Sequence, residues 1–120
     1  MSEKPNESAA SIAVSTQLHA ISQILRGVHQ LDSQTQAALA DLVDEVSSTL
    51  EGTTVDNAKL ARLTESAATL VKAVHERHDE GILASAQERL LHAAVAVESE
   101  SPGLASLTRR VAEMLSNVGI

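Results

Sequence analysis

The sequence predicts an all-α protein, an antiparallel bundle of four to five helices with short connections. Three observations carry that expectation. Apolar residues recur every three or four positions along most of the chain, the period of an α-helix. The breaks between these runs hold helix-stop and helix-start residues, among them Gly52, Asp56 and Ser101-Pro102. No stretch alternates with period two for long enough to argue a strand.

The elements follow in order. Met1–Glu7 is polar, carries Pro5 and lacks periodicity, so a flexible tail is expected there, followed by one helical domain over residues 8–120. Val14, Leu18, Ile21, Leu25 and Val28 then step by four, three, four and three, a heptad seam. Ile24 and Leu31 widen it, and the first helix is expected from about Ser8 to Gln30. Gly27 weakens its last turn by about 1 kcal/mol relative to Ala. Asp32 or Ser33 can cap a second helix, because a short side-chain oxygen accepts the free amides of the first turn. Leu39, Leu42, Val43, Val46 and Leu50 line one face of that helix to about Glu51.

Gly52 to Asn57 is the clearest break, with Thr54 or Asp56 as the next cap. The third helix is expected from about Asn57 to His78, with Leu60, Leu63, Ala67, Leu70 and Val74 as a second heptad seam. Asp79-Glu80-Gly81 interrupts it, the alternative being one helix running on through Gly81. The fourth helix, about Ile82 to Glu98, carries Leu83, Ala86, Leu90, Ala94 and Val97, with Leu91 and Val95 broadening its apolar face. The fifth starts at Ser101 as N-cap with Pro102 at the first helical position, where a missing N–H costs nothing. Leu104, Leu107, Val111, Leu115 and Val118 form its stripe, Met114 lies beside it, and Gly119-Ile120 suits a Schellman ending.

Composition removes several functions. The chain of 120 residues has no Phe, Tyr, Trp or Cys, yet 43% of it is hydrophobic. Bases have no aromatic platform on which to stack. A formal charge of −7 disfavours a phosphate-binding surface, so no nucleic-acid partner is expected. Without Cys there are no disulfides, thiolate zinc sites or cysteine nucleophiles. The longest run of Ala, Val, Ile, Leu or Met is Ala93 to Val97, far short of the about 20 residues that span a bilayer. Met1–Ala10 lacks the apolar segment of a signal peptide, so no membrane partner and a cytoplasmic location are expected. The 19 Ala permit close helix approach.

The C-terminal segment SPGLASLTRRVAEMLSNVGI resembles the end of a small bacterial family, Domain of Unknown Function 4404. Its members end with a His-Pro-x-Leu helix start, a basic pair within an aliphatic stripe and a terminal Met-Gly-Ile. The matching positions are Pro102, Leu104, Leu107, Arg109, Arg110, Leu115, Gly119 and Ile120. Leu18, Leu25, Leu31, Asp32 and Leu39 resemble the family's opening pair of helices. Ser101 stands in place of the family's His, Val118 in place of Met, and Val95 and Val97 where an aromatic is usual. The stretch from Glu51 to Glu80 is longer than the family's connection. The resemblance implies a helical fold and brings no activity with it.

Candidate chemistry concentrates in His75-Glu76-Arg77-His78-Asp79-Glu80. On a helix His75 and His78 share a face, and Asp79 or Glu80 can add an oxygen ligand, an N/O set suited to zinc or nickel. The rival reading is a charged, solvated helix end whose histidines suit the macrodipole. The spacing is not that of the metalloprotease His-Glu-x-x-His. No His has Glu three residues before it, which excludes a di-iron carboxylate bundle. Glu88 and His92 are four apart and read as a surface pair. The five Gly are scattered, and no nucleophile elbow accompanies the serines. The only adjacent basic pair, Arg109-Arg110, reads as a solvated face with one stem lying over the core.

No enzymatic activity and no cofactor follow from these residues. The expected function is helix–helix association, chiefly with copies of itself. Its candidate face is Val14, Leu18, Ile21, Leu25 and Val28, a seam that also suits the chain's own core. The alternative is a metal- or pH-responsive module at His75, His78 and Asp79.

Overall fold

The computed structural model describes residues 5–27, 33–52, 55–76 and 79–119. Five helices account for nearly all of them: α1 (Pro5–Gly27), α2 (Ser33–Gly52), α3 (Asn57–His75), α4 (Glu80–Glu98) and α5 (Pro102–Gly119). The protein is an all-α helical bundle.

The boundaries follow the capping chemistry. Asp56 opens α3, its Oδ1 accepting the Ala58 N–H at 3.2 Å. Asp79 opens α4, its Oδ1 accepting the Ile82 N–H at 3.0 Å. Ser101 opens α5, its Oγ accepting the Leu104 N–H at 3.4 Å, and Pro102 takes the first helical position. Three expectations shift. Pro5–Glu7 belongs to the first turn of α1, ahead of the expected start at Ser8, while the expected continuation to Gln30 lies outside the described residues. α3 closes at His75, where the Glu76 N–H turns back to the carbonyls of Lys72 and Val74. Gly81 lies inside the first turn of α4, so the break falls before it and the continuous-helix alternative is excluded. Asp32, Thr54 and Ile120, invoked for two caps and the Schellman ending, lie outside the described residues.

The core is a single cluster drawn from all five helices, with Ile21, Leu39, Leu42, Leu60, Leu63, Leu70, Leu90, Leu104 and Leu115 its largest fully buried members. Ala94, Ala105 and Ala112 are also fully buried. They are the thin places where neighbouring backbones come close. The helices circle this core in the order α1, α3, α4, α5, α2, for each packs chiefly on its neighbours in that ring and α2 also meets α1. Among the described residues α2 makes no packing contact with α4. The α2 helix packs on α5, then α1, and least on α3.

Four buried threonines interrupt the aliphatic interior: Thr35, Thr49, Thr64 and Thr108. Thr49, Thr64 and Thr108 donate to backbone carbonyls one turn back, those of Glu45, Leu60 and Leu104. A hydroxyl satisfied within its own helix is tolerated in a core.

Candidate functional site

The α1 seam does not form an outer surface. Val14, Leu18 and Ile21 are buried and Leu25 is half-buried against the same core, with α1 seated mainly on α3. Val28 lies outside the described residues. The intramolecular alternative thus accounts for these side chains, and the seam is not free to pair with a second copy while the bundle is closed. The α3 seam is buried in the same way. Val95 departs from its expected place: it is 60% exposed and faces away from the α4 stripe.

The His75 cluster sits at the α3–α4 turn. His75 is the last residue of α3 and is exposed, while Asp79 is exposed and occupied as the cap of α4. His78 lies outside the described residues. No group of three or more His, Cys, Asp or Glu that could hold a metal ion occurs among the described residues. Glu88 and His92 are both exposed, and no hydrogen bond or ion pair joins them. Arg109 pairs with Glu98 across the α4–α5 turn. Arg110 is exposed and borders a shallow α2–α5 groove with Asp41, Ala37, Ala38 and Leu107.

A concavity lies elsewhere, on the outer side of α3 and α4. It is a groove of about 400 Å³. From α3 it takes Arg62, Glu65, Ser66 and Thr69; from α4 it takes Ala86, Arg89, His92, Ala93 and Ala96. Positions four and three apart line the α3 wall, and positions three, four and three apart line the α4 wall. Each wall is therefore one ridge of a helix. The floor is small, made of Ser, Thr and Ala. The two helices run antiparallel: the short turn joins one pair of ends, and Lys59 Nζ meets Glu100 Oε2 at 3.0 Å across the other.

Neither Arg62 nor Arg89 has a hydrogen-bond or ion-pair partner among the described residues. Glu65 is the one acidic residue among the described lining, against two guanidinium groups. A locally cationic groove in a chain of charge −7 is an uneven charge distribution, favourable to an acidic surface. Sequence reasoning missed it because Arg62 and Arg89 lie in different helices. Only the hairpin brings them to one groove. The available signal was small residues at helical spacing beside an arginine, away from the apolar stripe.

No helix among the described residues is long and apolar enough to cross a membrane. The chain matches no protein-family model, no curated protein and no solved structure.

Proposed function

We propose that the chain is a cytoplasmic, non-catalytic helical module that works by associating with other helices, above all with copies of itself. One observation supports the reading most: the α3–α4 groove offers a small-residue floor on which a third helix can lie, flanked by arginines without partners among the described residues. Helix packing requires close approach, and Ser66, Thr69, Ala86, Ala93 and Ala96 permit it. The association assigned earlier to the α1 seam moves to this outer face, because that seam serves the core. Sedimentation velocity over a wide concentration range at low salt tests the reading. Growth of the mean mass with concentration is expected, and a monomer at every concentration overturns it.

A second reading is a metal-responsive turn. It is supported by His75 and Asp79 standing at the two ends of the same short connection, with His78 between them in the sequence. Calorimetric titration with zinc and with nickel tests it. Heat of binding, together with a melting temperature that falls on adding chelator, is expected if it holds; neither signal would dispose of it.

A further inference from the structure

The chain itself carries a helix whose chemistry matches the groove. We infer that the α3–α4 groove of one copy receives the outer face of α2 from a second copy, head to tail. This rests on the self-association proposed above and names its surfaces.

The α2 helix is the only one of the five without a Lys, Arg or His; its sequence carries Asp41, Asp44, Glu45 and Glu51. Its buried side holds Leu39, Leu42 and Val46. Its outer side shows Ala37, Asp41, Asp44 and Ser48, all exposed and stepping by four, three and four. That stripe is opposite in charge to the groove: it has small residues to allow approach, and carboxylates against the groove's guanidinium groups. Lengths agree as well. Ala37 to Ser48 and Ala86 to Ala96 each rise roughly 15 Å at helical pitch. Ridges with three-and-four spacing on all three helices can interdigitate as in a bundle.

Two charged groups work against the attraction and are part of the site. Glu65 lines the groove, and Arg110 stands beside Asp41 on the α2–α5 side. No ion pair joins Arg110 to Asp41, so the carboxylate keeps its charge available. Asp44, away from Arg110's groove, carries the central role.

The α2 face and the α3–α4 groove are two different surfaces with no residue in common. Repeated head to tail from copy to copy, such a contact is heterologous and builds a ring or an open chain. An interface of small residues and exposed charge is weak and screened by salt, with a range of about 8 Å at physiological ionic strength.

Charge reversal with rescue tests this. One variant carries R62E and R89E; the other carries D41K and D44K. All four positions are exposed, and circular dichroism confirms that both variants retain the helical fold. Each variant alone is expected to associate at least about tenfold more weakly than the parent, since like charges now meet. Mixed in equal amounts, the two are expected to regain parental association, and added salt to disperse it. Parental association by either variant alone, or a mixture that stays monomeric, overturns the docking while leaving self-association standing. A parent chain that is itself monomeric at low salt overturns both.

Discussion

At the residue scale the molecule is governed by caps and by alkyl packing. Asp79 satisfies an N–H that water would otherwise have to reach, and its carboxylate suits the positive end of α4. Asp79→Ala is expected to cost about 1 kcal/mol in urea unfolding, whereas Ser101→Ala costs less because its bond is long, at 3.4 Å. Leu90 is fully buried in a core without rings, where few neighbours can swing in to fill a void. Leu90→Ala should therefore cost roughly 2–5 kcal/mol by the same measurement. The caps were legible in the sequence because Asp and Ser at a break have few other uses. Val95 was not: the rule that Val belongs inside ignores that its position on α4 turns away from both neighbours. A half-apolar chain has more Val than its core can hold.

At the element scale, helix type and order were legible and boundaries less so. The α3 end came early because Asp79 claims the start of α4, and one residue cannot both cap the next helix and continue the previous one. The same logic places Gly81 and Gly103 inside helices, where glycine brings no benefit. An added Cβ at Gly103 meets nothing within 4 Å, and at Gly81 the nearest atom is Asp79 Oδ1 at 3.6 Å. Gly103→Ala is expected to raise stability by about 0.5–1 kcal/mol, read as a higher melting temperature. Where helices meet, the opposite holds. Ala94 is fully buried at close approach, so Ala94→Leu should destabilise the fold by about 1–3 kcal/mol through overpacking. The Lys59–Glu100 and Arg109–Glu98 pairs join exposed groups, and removing either changes little.

At the scale of the whole molecule, one cluster built from five helices implies one cooperative unit. Ile21→Ala in α1 is expected to shift a single unfolding transition, with calorimetry and circular dichroism coinciding, rather than melt α1 alone. The heptad seams showed how far sequence carries. Spacing marks which face is buried, yet an apolar ridge looks the same whether its cover comes from the same chain or another. The α3–α4 groove was illegible for the converse reason: Ser, Thr and Ala beside Arg resemble any solvated helix until the hairpin aligns the two walls. The ring order of the helices has a consequence for biosynthesis. The α2 helix packs chiefly on α5, which is made after α3 and α4. On the ribosome, α1, α3 and α4 can gather as they emerge, while Leu39, Leu42 and Val46 wait with their main cover still untranslated. For that interval the nascent chain leaves an oily flank uncovered, and a stall anywhere before Pro102 would hold it open to chaperone and protease alike.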